Sequence, residues 1–315
     1  MKRIALPIFI LAGLTCAVLG INEYTKSAAP KTGDAAPVSA AGVSNNVTST
    51  NKAVKSTAKS AAKSEAKKAV ATQSKLVINV DFEEFESTKD LQKVLTSVAG
   101  RLWKYFPERQ LKPINIVRGG PCPLVFYKRD AGGAIRVRLC SRKTYWCQYA
   151  YQFAHEFCHI MCSYDSDDNR NKWFEESICE LASMFVLRKM KPHWEKNQII
   201  KRSKKYSKYF MPYAQAIINR GRLPEGTTFK KWFAEKETQL YKDSCQRDLN
   251  RIVAVKLLPI FEKSPENWGA VEYLNKGKPA KNESFKTYLR KWKKHSPEKY
   301  RKFIEKIAAE FGYKI

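Results

Sequence analysis

Acidic side chains and histidine are what this sequence is short of. Only 30 Asp and Glu stand against 58 Lys and Arg, a net charge of +28, and there are 4 His among 315 residues. The acid deficit excludes a surface that repels polyanions. It implies an anionic neighbour, such as acidic lipid, a cell-envelope polymer or nucleic acid, without implying an anionic substrate. The deficit is uneven: residues 76–186 carry 15 basic and 14 acidic side chains, residues 187–315 carry 32 and 13. Excess charge therefore belongs to the linker and the C-terminal third. Large apolar residues are almost missing from residues 22–75, which are Ala, Ser, Thr and Lys rich. Such a stretch cannot bury enough surface to offset the entropy of ordering, so a flexible tether over residues 21–75 is expected. No internal repeat is evident, which argues against a solenoid or array.

What is present begins with an export pattern. Lys2 and Arg3 precede an uncharged run from Ile4 to Leu19, with small residues at Ala17 and Gly20. Residues 1–20 are thus expected to send the chain out of the cytoplasm. It then works in the periplasm or extracellularly, or stays anchored by residues 4–21. Gly13-Leu14-Thr15 before Cys16 is a poor lipobox. Eight cysteines become seven if Cys16 leaves with the signal, an odd number even where disulfides are permitted. Cys122 and Cys140 flank two expected strands and can be imagined as a pair.

Folded structure is expected over residues 76–315. Strands are read at Leu76–Val80, Ile114–Arg118, Leu124–Lys128 and Ala134–Leu139, with Gly-rich turns between the last three. A helix capped by Ser87 carries Leu91, Val94, Leu95, Val98 and Leu102 at helical spacing. Helices follow from Thr144 to Cys162 and from Trp173 to Lys189. Further helices are broken at Pro192, Gly221–Pro224, Pro265 and Gly277–Pro279. Strands first and helices afterwards indicate an α+β domain, with a sheet-bearing part at 76–162 and a helical lobe at 163–315.

Half of all the histidines lie in one pentapeptide, His155-Glu156-Phe157-Cys158-His159. On a helix, residues four apart share a face, so both imidazoles can meet one ion. Glu156 is turned about 100° from His155, close to that ion without ligating it. Zinc suits three protein ligands of N and O type with one position left open. The third ligand should come from a neighbouring helix after a short connection, and Trp173-Phe174-Glu175-Glu176 opens one. Asp165, Asp167 and Asn169 begin like a calcium loop, but Arg170 stands where glycine is needed. Cys158 and Cys162 are read as packing residues.

With that second helix, the sequence resembles the gluzincin clan, the thermolysin-like and aminopeptidase-like zinc metallopeptidases. There the second helix carries an Asn-Glu or Glu-Glu pair near an aromatic residue. The resemblance covers roughly residues 134–190. Aligning Trp173 with that aromatic implies Glu176 as the third zinc ligand, with Glu175 the alternative one helix position away. It implies Glu180, one turn on, as the carboxylate that orients His155. It also implies a proton donor facing the oxyanion from a later helix, for which Tyr241 stands 65 residues past Glu176; His193 and Tyr213 are the alternatives. The implied fold is zincin-like, a small mixed sheet over the active-site helix followed by a mostly helical C-terminal lobe. The implied activity is peptide-bond hydrolysis by activated water, with Glu156 as general base and a peptide or protein as substrate. The strand Ala134–Leu139 is expected to be an edge that pairs with extended substrate. The other reading is an envelope-tethered binding or scaffold module with little turnover, and the intact Glu156 counts against it. The basic, aromatic run from Tyr288 to Lys302 comes with no nucleic-acid-binding module, so nucleic acid is not an expected partner.

Overall fold

A computed structural model of the chain describes residues 73–82, 88–165 and 169–315. The expected export signal, nearly all of the linker, the Ser87 cap and Asp167 lie outside the described residues. The fold begins with β1 (Ile78–Val80) and crosses through α1 (Thr88–Trp103) to β2 (Ile114–Arg118), which pairs parallel with β1. Parallel neighbours need such a crossover. The helical spacing on α1 does what it should: Leu91, Val94, Leu95, Val98 and Leu102 are fully buried. Two more strands follow, β3 (Leu124–Val125) and β4 (Ile135–Leu139).

The sheet order is β1-β2-β4-β3, with β4 parallel to β2 and β3 antiparallel to β4. This corrects the expectation for Ala134–Leu139. That strand is interior, and the edge beyond it is β3. The return loop explains the placement. Asp130 Oδ1 accepts the backbone N–H groups of Gly132 and Ala134 at 3.0 and 2.7 Å, turning the chain so that Ile135 enters beside Ile114. Along β4, Ile135, Val137 and Leu139 face the core, while Arg136 and Arg138 face outward over the Phe126 ring. Before β3, Gly120 has φ +67°, a backbone conformation in which a side chain is strained, so the turn favours glycine. No disulfide joins Cys122 and Cys140. The Cys122 carbonyl accepts Arg138 Nε at 3.1 Å, and the Cys140 thiol lies 3.8 Å from the Gly119 carbonyl.

After β4 the described residues form helices only. They are α2 (Trp146–Met161), α3 (Lys172–Lys196), α4 (Ser203–Tyr206), α5 (Phe210–Arg220), α6 (Phe229–Lys242), α7 (Arg247–Lys263), α8 (Phe285–His295) and α9 (Glu298–Glu310). Short 3-10 segments sit at Ser207–Tyr209 and Pro265–Tyr273. The molecule is therefore mixed α/β and mostly helical, with one small mixed sheet. Among the described residues no helix is long and apolar enough to cross a membrane.

α3 is the central element, with α2, α5 and α7 packed against it. Trp173, Phe174, Leu181, Phe185 and Leu187 are all fully buried, and residues 177–187 are buried on every side of the helix. It continues through Pro192, where the sequence predicts a break. Proline leaves the Arg188 carbonyl without its helical donor. Beyond it, however, Trp194 is fully buried and donates from Nε1 to Ser97 Oγ at 3.0 Å, so packing outweighs the lost bond. The first turn of α3 rests on an aromatic cluster: Phe285 lies 4.6 Å from Trp173 and 5.0 Å from Phe174, ring centre to ring centre. That cluster fixes where the carboxylates of the next residues point.

Candidate metal centre

α2 and α3 pack side by side, and their facing surfaces carry the histidines and the glutamates. His155 Nε2 lies 3.1 Å from Glu176 Oε2, and His159 Nε2 lies 3.5 Å from Glu176 Oε1. The Glu176 carboxylate thus faces both imidazoles, one oxygen towards each. A tetrahedral ion with bonds of about 2.0–2.1 Å separates its ligand atoms by about 3.3 Å, and the two contacts, each to a different carboxylate oxygen, are of that order. Glu175 turns the other way. Its Oε1 accepts His159 Nδ1–H at 2.6 Å, which fixes the orientation of the ring and keeps Nε2 turned towards Glu176. Asn275 Nδ2 donates to Glu175 Oε2 at 2.6 Å, and Tyr288 Oη donates to Asn275 Oδ1 at 3.1 Å. The imidazole is therefore held through three successive partners.

The cluster opens into a cleft of about 170 Å³. His155, His159 and Glu176 keep 16%, 12% and 27% of their side-chain surface exposed, enough for a ligand to reach them. Glu156 lines the same cleft. Burial pushes its carboxyl above the usual range, opposed by the two imidazoles and by a hydrogen bond from the Val125 backbone. A raised carboxyl beside a ligand set suits proton transfer. For His159, burial lowers the pKa, but the Glu176, Glu175 and Glu156 carboxylates outweigh it and raise the value to about 10. Glu176 shows the complement: burial raises it, and the His159 and His155 imidazoles hold it down at about 2.

Four of the six residues singled out in the sequence come together here: His155, Glu156, His159 and Glu176. Glu180 lies at the cleft, but its carboxylate accepts Arg251 Nε at 2.8 Å and the Tyr151 hydroxyl, not His155. The reason is charge: the Arg251 side chain is 11% exposed and a buried cation requires a partner. Orientation of a histidine is instead the work of Glu175, on the other imidazole. Tyr241 is not among the cleft residues. It ends α6 rather than starting a helix through Leu257, and its hydroxyl bonds the Glu237 carboxylate and accepts the Phe285 N–H at 3.1 Å. The alternatives are also elsewhere. Tyr213 packs against Tyr151, and His193 sits in the last turn of α3 beside Asn197.

A different tyrosine overhangs the site. Lys172 starts α3 and is one turn before Glu176, hence on the same face. Its Nζ donates to Tyr127 Oη at 3.4 Å and to the Asp165 carbonyl at 3.0 Å. Tyr127, two residues past β3, is 54% exposed and lines the cleft, and its ring lies 5.7 Å from that of Tyr164. Burial raises the Tyr127 pKa, with Lys172 opposing and Glu175 and Glu176 adding, so it keeps its proton at neutral pH. Arg247, at the start of α7, lines the facing wall.

His155, His159 and Cys179 also bring ligand atoms within 4.8 Å of one another. Cys179 is fully buried and does not line the cleft, so a site on that side offers no open position. Glu176 does, and two imidazoles with one carboxylate fit zinc. Compared with protein-family models, with curated proteins and with solved structures, the chain matches none of them.

Proposed function

We propose that the protein is a zinc-dependent peptidase of gluzincin type, with a zincin-like arrangement of sheet and helices. The observation that carries this reading is that the Glu176 carboxylate faces His155 and His159 across α2 and α3, with Glu156 lining the same open cleft. Zinc in such a site polarises a carbonyl and makes a nearby water acidic. The chain's own residues supply the rest. Glu156 takes the proton of the attacking water and passes it to the leaving amine. Tyr127, steadied by Lys172, donates a hydrogen bond to the oxygen on which charge develops, the role the resemblance had suggested for Tyr241. β3, at the sheet edge and beside the cleft, offers backbone groups to an extended substrate. The N-terminal pattern supports action outside the cytoplasm.

The test is a peptide digest with two variants. Glu156→Gln is expected to keep its zinc and lose at least about a hundredfold in kcat. Tyr127→Phe is expected to lose about a hundredfold in kcat with little change in KM. Equal cleavage by wild type and Glu156→Gln contradicts the mechanism. A wild type that binds zinc but cleaves nothing in a broad peptide mixture favours the scaffold reading.

A further inference from the structure

Behind the histidine face lies a second cluster that the hydrolytic reading does not use. Cys158 and Cys162 are one turn apart on α2, and Cys179 faces them from α3. Their three sulfurs lie within 4.8 Å of one another, and the residues are 1%, 0% and 0% exposed. All three are free thiols. Packing alone does not ask for this: Ala, Val or Leu fills a helix interface as well, and cysteine is scarce, with 8 in the whole chain.

We propose that Cys158, Cys162 and Cys179 form a three-thiol site for a soft, three-coordinate thiophile, and that arsenite is the species it takes most readily. The preference follows from charge. A univalent or divalent soft cation with three thiolates leaves net negative charge in the core, which is costly. Trivalent arsenic with three thiolates is neutral. The reaction is a condensation without redox change: arsenous acid, As(OH)3, exchanges its three hydroxyls for three sulfurs. Three S–H and three As–O bonds break, three As–S bonds form, and three waters leave. Thiophilic softness also separates the two sites, because imidazole and carboxylate are poor ligands for arsenic. The thiols are sealed, so uptake requires local opening of the α2–α3 contact and is slow. Once formed, the adduct staples the two helices that carry the metal-ligand candidates. No step of the hydrolytic reading is needed for this.

The experiment uses the reduced full-length chain and sodium arsenite. Native mass spectrometry should find one arsenic per chain, and X-ray absorption at the arsenic edge should find three sulfur neighbours and no oxygen. Cys158→Ala and Cys179→Ala should each bind at least about tenfold more weakly. Cys122→Ala and Cys245→Ala, on the cleft walls, should bind as wild type does. Two-sulfur coordination, no bound arsenic after prolonged incubation, or unchanged binding in the cluster variants overturns the proposal. So does a disulfide within the trio in the protein as isolated. The absorption measurement is made on wild type and stands even where a variant fails to fold.

Discussion

Glu175 and Glu180 are both buried carboxylates on α3, five residues apart, and their removal should have opposite consequences. Glu175 holds His159 Nδ1, so Glu175→Ala is expected to weaken zinc binding by about 10–100-fold. Glu180 neutralises Arg251, so Glu180→Ala is expected to leave zinc binding nearly unchanged and to cost about 3–5 kcal/mol of stability. Zinc titration together with urea unfolding separates the two; a large zinc effect from Glu180→Ala contradicts the assignment. The histidine pair was legible in the sequence because four-residue spacing on a helix fixes a shared face. Glu176 was legible as one of two neighbours. The role of Glu175 was not, since one step along a helix turns a side chain by about 100° and only packing decides which carboxylate faces which nitrogen. Asn275 and Tyr288, about a hundred residues further along, left no local signal.

Helices and strands were legible where periodicity and burial agreed, as on α1 and β2. They were less so where tertiary contacts decide. The continuation of α3 through Pro192 depends on Trp194, and the edge position of β3 depends on Asp130 turning the hairpin. Tyr241 was misplaced because a residue count assumes continuous helix, whereas the chain breaks between α6 and α7. The extension of α3 also creates a pH-dependent contact with the end of α1. His193 has its pKa lowered to about 4 by burial and then by the Arg101 and Lys104 charges. In the unfolded chain it titrates near 6.5. Between those values the unfolded state binds more protons, so the contribution to stability is full above pH 6.5 and is lost as pH falls towards 4. For a partly exposed group this amounts to about 1 kcal/mol after solvent screening. Urea midpoints at pH 7 and pH 4.5 should therefore drop further for wild type than for His193→Gln. Equal drops would remove His193 from the account.

At the scale of the whole molecule, charge and chemistry are segregated. Residues 187–315 carry 32 basic against 13 acidic side chains. In the basic run from Tyr288 to Lys302 the three aromatic residues, Tyr288, Trp292 and Tyr300, are buried in the core, so its Lys and Arg side chains face outward, with Glu298 as the one exposed acid of that run. Basic groups near an anionic membrane contribute about 1 kcal/mol each within a Debye length, so a handful facing one surface gives reversible adhesion. The protein is expected to bind anionic vesicles at low salt and leave them at high salt, with hydrolysis of a small neutral peptide unaffected. Equal binding to neutral vesicles, independent of salt, would contradict this. The central claim is a zinc site built by α2 and α3, and zinc content tests it most directly. Full-length protein purified without chelator should hold close to one zinc per chain, and His159→Ala should hold almost none. Wild type near zero, or His159→Ala with its zinc retained, would contradict the ligand set.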